Sequence, residues 1–142
     1  MNMPALPMLR PVVALVLWTF FMWSWMYATR IPAIRRARME LDPLRPRGEQ
    51  MAELPAQVRW KADNYNHLFE MPTLFYAIAL TLACLGVESP LEVALAWTYV
   101  GLRVVHSLVQ ATWNRIEARF AVFALSSLVL FALAIRAVLL VF

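Results

Sequence analysis

Charge, glycine and cysteine are all scarce in this chain of 142 residues, and each shortage excludes a class of protein. Only 15% of the residues are charged and 62% are hydrophobic, whereas a soluble domain carries about a quarter charged residues. Three glycines argue against a glycine-rich phosphate loop, and no residues have the spacing of metal ligands. The single cysteine, Cys84, cannot form an internal disulfide and is expected to be a small core residue. The remaining class is an integral membrane protein of one small domain.

The uncharged runs of the sequence are long enough to cross a membrane. Pro11 to Thr29 holds 19 residues without a charge, which spans a hydrocarbon core of about 30 Å at about 1.5 Å per residue. A signal peptide is the alternative, but this run is rich in bulky aromatics and lacks a small-x-small cleavage site. The sequence predicts an all-α membrane protein, a four-helix bundle with antiparallel up-down spans at about residues 11–29, 68–87, 90–112 and 118–140.

The basic residues cluster in the connections between apolar runs, which is an orientation signal and not a nucleic-acid signal. The first connection, about residues 30–66, carries eight of the 13 basic residues, the third carries Arg115 and Arg119, and the second carries none. By the positive-inside rule, the first and third connections are cytoplasmic and both termini lie on the other side of the membrane.

Prolines and capping motifs set the expected helix boundaries. The second helix should begin near Pro55 and kink at Pro72, because an internal proline removes a backbone hydrogen bond and clashes with the preceding turn. The Ser-Pro-Leu-Glu run at 89–92 is a capping box that starts the third helix, and the Asn-Arg-Ile-Glu run at 114–117 resembles another. Arg136 is expected to snorkel from the far end of the fourth span.

Two polar stripes are predicted to meet near the cytoplasmic side of the membrane, because polar groups at this depth need partners on a facing helix. When the residues of each stripe are placed on an α-helix, they all fall on one face of it. The stripe of the second helix is Asp63, Asn66, His67 and Glu70, and that of the third is Arg103, His106 and Gln110. The alternative interpretations are a helix end in the headgroup layer and a set of groups that only satisfy one another.

Glu70 and Arg103 are expected to form a buried ion pair. Both lie on spanning helices that start from opposite faces, Glu70 about one turn and Arg103 roughly 13 Å below the cytoplasmic surface. Either charge alone would be expensive in this setting. Arg119 adds a second cation near that surface, so the pocket suits an anionic, amphipathic ligand whose apolar part lies in the bilayer.

These motifs together resemble the MAPEG superfamily, the membrane-associated proteins in eicosanoid and glutathione metabolism. The resemblance rests on His-Leu-Phe-Glu at 67–70 with Pro72, on Arg-Val-Val-His at 103–106, and on Arg119, 13 residues beyond the histidine. It covers nearly the whole chain, and the run from residue 63 to 76 is most similar to bacterial members. We therefore expect a protein of the bacterial inner membrane.

The resemblance implies a homotrimer that holds glutathione, as a cosubstrate, in a pocket between neighbouring subunits. Glu70 matches a glutamate that contacts glutathione, Arg103 matches the arginine that braces it, and Arg119 matches the arginine that stabilises the thiolate. One of the arginines after the first helix, such as Arg30, is expected to reach the site. The candidate glutathione-binding residues are Asn66, His67, Glu70, Arg103, His106 and Gln110, and the candidate catalytic residue is Arg119.

Some positions depart from the family pattern. His67 stands where the motif usually has Asn, and Asp63 stands where prostaglandin- and leukotriene-synthesising relatives have an arginine. Phe120 and Phe123 replace hydroxyl residues of some relatives. Two functions therefore stay open: a glutathione transferase or peroxidase acting on lipophilic substrates, and a non-catalytic membrane protein that binds a lipid or a partner. A small multidrug exporter is a third class, which the long first connection and the absence of an acidic residue in helix one disfavour.

Overall fold

The computed structural model describes residues 7–46, 48–87 and 89–142, and every regular element in these ranges is helical. The helices are α1 (Leu9–Arg36), α2 (Glu49–Ala52), α3 (Ala56–His67), α4 (Met71–Cys84), α5 (Pro90–Leu108) and α6 (Ile116–Val141). A π-helical segment, Val109–Trp113, continues α5. Three stretches of the described ranges are long and apolar enough to cross a membrane: Leu9–Arg36, Ala56–Cys84 and Ile116–Val141. The chain is therefore an all-helical integral membrane protein.

Helix α1 extends further than its uncharged run predicts. It ends at Arg36, so Arg30, Arg35 and Arg36 lie in its last two turns rather than in a loop. Arginine has a good helix propensity, and cations are favoured at the carboxyl end of a helix by the helix dipole. The predicted boundary at residue 29 marks the end of the apolar run, whereas the helix continues and carries Arg30 alongside α3.

Helices α4 and α5 run in opposite directions. Phe75 stacks on Tyr99 with the ring centroids 4.7 Å apart. Nearer the start of α4, a guanidinium nitrogen of Arg103 lies 3.3 Å from the carbonyl oxygen of His67. A lower number on one helix therefore pairs with a higher number on the other, which is the antiparallel arrangement that brings the two polar stripes to the same end.

The main core lies where α1, α4, α5 and α6 meet. Phe75 and Tyr99 are fully buried at its centre, and small residues such as Ala79 and Ala96 allow the helices to approach closely. The outer faces remain apolar and exposed, as a lipid-facing surface requires. Cys84, which was expected in the core, is exposed in the last turn of α4, because the inner face of that turn is occupied by Leu82 and Ala83.

Helix α5 begins at Pro90, where its capping motif predicts a helix start. Ser89 Oγ accepts a hydrogen bond from the N–H of Leu91 at 3.3 Å. The side chain of Glu92 is fully buried, and besides its place in this capping motif its Oε1 accepts bonds from Nε and Nη2 of Arg136, both at 2.7 Å. Arg136 therefore does not snorkel freely, because this ion pair holds it against α5.

The connection between α5 and α6 differs from the predicted second capping box. Asn114 adopts a left-handed conformation, with φ 49° and ψ 33°, and its N–H bonds to the carbonyl of Val109 at 2.6 Å. Asparagine tolerates this conformation better than most residues, so Asn114 ends the π-helical segment. Arg115 takes the N-cap position of α6 and makes no side-chain cap.

Candidate functional site

The predicted second helix is two helices, α3 and α4, separated by a turn at Leu68–Glu70. Pro72 accounts for the break, because it lacks the N–H that would bond to the carbonyl of Leu68 and its ring would clash with that carbonyl. Proline is well tolerated in the first turn of a helix, and α4 begins one residue before it. The predicted kink is therefore a full interruption, and in the turn the carbonyl of His67 accepts the N–H of Glu70 at 3.3 Å.

The predicted ion pair between Glu70 and Arg103 is not formed within the described chain. Glu70 occupies the N-cap position of α4, its side chain is 64% exposed, and its Oε2 lies 2.6 Å from His67 Nδ1. Arg103 is fully buried and donates from Nη2 to the carbonyl of His67. The prediction is wrong because it assumed an unbroken helix, and the break turns Glu70 towards the surface.

The polar stripe of α5 and its π-helical extension faces inward. Arg103, His106 and Gln110 are all buried. Within the described residues, Arg103 Nε and Nη1, His106 Nδ1 and Gln110 Oε1 have no hydrogen-bond partner. A buried polar atom without a partner is costly. A ligand, ordered water or a second chain would supply hydrogen-bond partners for these atoms. Arg103 has the most such atoms of the three residues, with two unpartnered nitrogens.

Asn64 is a buried polar residue that the predicted stripe omitted. It is fully buried, and both atoms of its amide lack a partner in the described residues. One turn before it, Lys61 bonds to the carbonyl of Ala111, and one turn after it His67 meets Arg103. These flanking contacts agree with the burial of Asn64 on the inner face of α3. The spacing of Lys61, Asn64 and Leu68 is the sequence signal of this inner face.

Lys61 joins α1, α3 and the π-helical segment. Its Nζ donates to the carbonyl of Gln57 at 2.8 Å and to the carbonyl of Ala111 at 3.2 Å. The same ammonium lies 5.1 Å from the centroid of the Trp25 ring. A cation here satisfies a carbonyl at the end of α5, where an α-helix lacks intrahelical donors.

Substitution Lys61→Met is expected to lower the free energy of unfolding by about 1–3 kcal/mol, because it leaves the carbonyl of Ala111 without its side-chain donor. Methionine keeps an unbranched stem of similar length, so the packing loss is small. Unfolding in one detergent, followed by circular dichroism, measures the change. Arg59→Met, at an exposed position two residues earlier, is the control, and equal effects of the two substitutions would contradict the assigned role.

The two histidines and Arg119 line a cavity of about 220 Å³ between α3, α5 and α6. The imidazole centroids of His67 and His106 are 5.1 Å apart, and the ring of Phe123 lies 5.5 Å from that of His67. Ile116 and Phe120 complete the apolar walls. A guanidinium and two imidazoles beside apolar walls can hold a thiolate or another anion next to a lipophilic group.

Arg119 is oriented by the turn that precedes α6. Its Nη1 donates to Oδ1 of Asn114 at 2.8 Å, and its side chain is partly buried. The left-handed backbone of Asn114 places that amide beside the first turn of α6. The geometry brings Arg119 together with His67 and His106, as the sequence predicts, while Glu70, Arg103 and Gln110 do not line this cavity.

Asn66 lies on a different side of α3. With Arg30, Arg59 and Asp63 it lines a second cavity, of about 230 Å³, which the segment 48–52 bounds from outside. The single stripe predicted for α3 is therefore divided, since His67 faces α6 whereas Asn66 faces α1. Arg30 reaches this second cavity and not the one that contains Arg119.

These features define a helical membrane protein with buried polar stripes that converge on a cationic cavity. The chain matches the MAPEG family over residues 8–139 and belongs to that family. The resemblance predicted from the motifs is thereby confirmed. Neither the curated proteins nor the solved structures contain a match to the chain. Within the described ranges, no three His, Cys, Asp or Glu residues are grouped so that they could hold a metal ion.

Proposed function

We propose that this protein binds glutathione with its thiol at Arg119 and uses it as cosubstrate in a transferase or peroxidase reaction on lipophilic substrates. The observation that carries the proposal is the cavity itself. A partly buried guanidinium shares its walls with two histidines and with Ile116, Phe120 and Phe123. The cation favours the thiolate form of a thiol, and the apolar walls favour a lipophilic electrophile beside it.

The size of the cavity supports a site that a neighbouring subunit completes. At about 220 Å³ it falls below the roughly 300–1,000 Å³ of pockets that enclose a whole ligand. It therefore accommodates the thiol end, while the rest of the tripeptide lies outside. Glu70, with its side chain 64% exposed, is free to contact that part. A homotrimer in which α4 lines the centre would add the missing walls.

A His67–Glu70 dyad supports thiol activation. An ionised carboxylate only accepts hydrogen bonds, so the 2.6 Å contact assigns the proton to His67 Nδ1 and leaves Nε2 able to accept one. In the proposed step, the thiol proton passes to Nε2 while the sulfur stays beside Arg119. The thiolate then attacks the electrophile, forming the new sulfur bond as the leaving group departs.

The proposed membrane arrangement has four spans in an antiparallel up-down bundle, with α5 and its π-helical extension as the third. The buried stripe of α5 supports this, because its charged residue faces the protein rather than lipid. The connections that contain α2 and Arg115 face the cytoplasm of a bacterial inner membrane, and the termini face the other side. The Arg119 cavity then opens towards cytoplasmic glutathione.

Calorimetry with detergent-purified protein is expected to detect glutathione binding, and conjugation of a generic electrophile is expected to follow. Arg119→Ala should lower the conjugation rate roughly 100-fold, because it removes a preorganised positive charge at the developing thiolate. The conjugation rate of Arg119→Lys should lie between those of the wild type and Arg119→Ala, since lysine keeps the charge but lacks the planar guanidinium. Ultraviolet difference absorbance measures the thiolate directly.

Two further variants separate the roles in this assay. Arg115→Ala is the control, because Arg115 is exposed and lies over the Trp113 ring, away from the cavity. His67→Asn introduces the residue usual in the family and should lower the rate roughly 100-fold if His67 accepts the thiol proton. Equal thiolate signals in the wild type and Arg119→Ala would remove the Arg119 assignment, and a faster His67→Asn variant would remove the dyad.

A non-catalytic protein that binds a lipid or a partner is the second candidate. Asp63 is an exposed carboxylate where a cation would suit the carboxylates of glutathione, and Phe120 is 68% exposed at the cavity mouth. These residues favour an apolar ligand over a charged tripeptide. Heat of binding with a fatty acid, together with none for glutathione, would select this function.

A further inference from the structure

One face of α1 lines two cavities in succession. Val16, Phe20 and Trp23 border an apolar cavity of about 320 Å³, and Arg30 borders the polar cavity of about 230 Å³. Tyr27 lies between them and packs edge-on against Trp23, with ring centroids 5.2 Å apart. The spacing 16, 20, 23, 27 and 30 is that of a single helix face.

The opposite wall is also continuous. Asp63 and Asn66 border the polar cavity, and Tyr65 and Phe69 border the apolar one. Tyr65 and Phe69 pack edge-on with ring centroids 5.0 Å apart. The two cavities have different lining residues but the same two neighbours, α1 and the α3–α4 pair, and we call the surface that runs from one cavity to the other the α1–α3 groove.

The α1–α3 groove is polar at one end and apolar along the rest. Arg30 and Arg59 supply two cations at the polar end. Trp23 lies two turns along α1 from Arg30, which is roughly 10 Å at 1.5 Å per residue. The apolar cavity is lined by hydrophobic side chains apart from Thr19 and two tyrosines, and no charged residue borders it. This order matches a phospholipid, whose phosphate lies at the interface and whose chains extend towards the bilayer centre.

We propose that the α1–α3 groove binds one membrane phospholipid lengthwise, with its phosphate beside Arg30 and Arg59 and an acyl chain along Trp23 and Phe20. Arg30 Nε is buried and has no hydrogen-bond partner in the described residues, which supports a phosphate at this position. Arginine is suited to phosphate because its planar fork can donate two parallel hydrogen bonds. Phe20 and Phe69 are 62% and 53% exposed, which leaves their rings free to cover a chain.

The headgroup chemistry follows from Asp63 and Asn66. A carboxylate beside two cations disfavours a dianionic phosphate monoester and favours a phosphodiester with a hydroxyl or ammonium donor. The polar cavity, about 230 Å³, is smaller than pockets of roughly 300–1,000 Å³ that enclose whole ligands, so it fits a headgroup alone. A hydroxyl-bearing phosphatidylglycerol satisfies both conditions.

The outer wall of the polar cavity is held in place by its own hydrogen bonds. Gln50 Nε2 donates to the carbonyl of Asp42 at 2.6 Å, and the Asp42 N–H donates to Gln50 Oε1 at 2.9 Å. Gly48, Met51 and Ala52 of the adjoining segment contribute to the cavity lining. Because this wall is already held in place, no free energy is spent on ordering it when a headgroup occupies the cavity.

A titration of delipidated protein in detergent with acyl-brominated phosphatidylglycerol tests the proposal, because bromine quenches tryptophan fluorescence at contact. We expect saturable quenching, most of which disappears in Trp23→Phe. Arg30→Gln with Arg59→Gln should weaken binding roughly tenfold or more, since it removes two charged donors. The charge-matched control is Arg35→Gln with Arg38→Gln, at exposed positions outside both cavities, and it should bind as the wild type does.

Further arms of the experiment separate the possible occupants. Val16→Phe, which leaves the cations intact, should weaken the long-chain lipid but not competing dihexanoyl phosphatidylglycerol, whose short chains end before Val16. Displacement by inorganic phosphate without any quenching that depends on Trp23 would overturn the lipid assignment in favour of free phosphate. Equal binding by the arginine double variant and its control would also overturn it. Mass measurement that shows an oligomer shielding Trp23 with no lipid bound would assign the groove to a second copy. Glutathione is absent throughout, so the outcome is independent of the proposed enzyme function.

Discussion

Arg103→Met is expected to make the purified, ligand-free protein more stable and to weaken the proposed binding of glutathione. Arg103 is fully buried, and within the described residues its hydrogen bond runs from Nη2 to the carbonyl of His67, a residue that lines the Arg119 cavity, at 3.3 Å. Its Nε and Nη1 have no partner in the described residues. Methionine fills a similar length with apolar atoms. Replacing a buried ion pair by well-packed apolar residues is neutral or stabilises by about 1–4 kcal/mol, and for this single underpaired guanidinium we expect a gain at the low end of that range.

The two effects have different causes. Removing an underpaired buried charge raises stability, whereas losing the hydrogen bond to the backbone of His67 loosens a residue that lines the proposed binding cavity. Thermal unfolding in one detergent measures the first effect and calorimetry with glutathione the second. Arg103→Lys is the control for charge, since it keeps the cation and should not stabilise. Arg115→Met is the control for an exposed arginine and should change stability by less than about 0.5 kcal/mol.

Destabilisation by Arg103→Met would contradict this account. It would mean that the guanidinium already has acceptors in the assembled protein, such as a carboxylate from a neighbouring copy. The exposed Glu70 is suited to that role, because among the described residues His67 is the one that its side chain contacts as an ion-pair partner. A Glu70→Gln variant that loses as much stability as Arg103→Met would identify this partner.

Arg136→Met should lower the free energy of unfolding by about 3 kcal/mol, because it leaves the carboxylate of Glu92 buried without its cation. Glu92 is fully buried, whereas the side chain of Arg136 is 39% exposed, so the expected loss lies at the low end for a broken buried pair. The double substitution Glu92→Met with Arg136→Met should cost less than the sum of the two single changes. Equilibrium unfolding in mixed micelles of detergent and dodecyl sulfate measures all three.

The chain contains a matched control for this experiment. Arg45 and Glu53 form an ion pair at 3.2 Å with side chains 47% and 55% exposed. Exposed pairs contribute about 0–1 kcal/mol, so Arg45→Met should change stability little. If Arg136→Met and Arg45→Met have the same small effect, the Glu92 carboxylate is solvated by water in solution and the buried pair is not a structural link between α5 and α6.

The family and most helix starts could be predicted from local sequence. Pro11 to Thr29 is uncharged and lies within α1, and Ser89 caps α5 where its motif predicts. The inward face of α5 followed from the spacing of Arg103, His106 and Gln110, because helical periodicity is a local property. The match over residues 8–139 confirms that the order of these motifs identifies the family.

The incorrect or incomplete predictions concern residues whose surroundings are set by a neighbouring helix or by a break in their own helix. An unbroken second helix would have placed Glu70 on the inner face, but Pro72 ends α3 early and Glu70 turns outward to His67. The capping motif before α6 was misread because the π-helical segment uses Asn114 as its terminus. The capping motif did not predict the ion pair of Glu92 with Arg136, because the two residues are 44 positions apart in the sequence.

The sequence by itself determined the class of protein, the helical periodicities and the inward-facing polar residues of α5, because hydropathy and spacing act over a few turns of one helix. Only the tertiary structure decided which of those polar residues meet. Arg103 bonds to the backbone carbonyl of His67, and Lys61 bonds to the carbonyl of Ala111, 50 residues away in the sequence. Asn66 and His67 are adjacent in sequence yet line different cavities. The physical reason is that neighbouring residues on a helix point about 100° apart, so their partners depend on the surrounding helices.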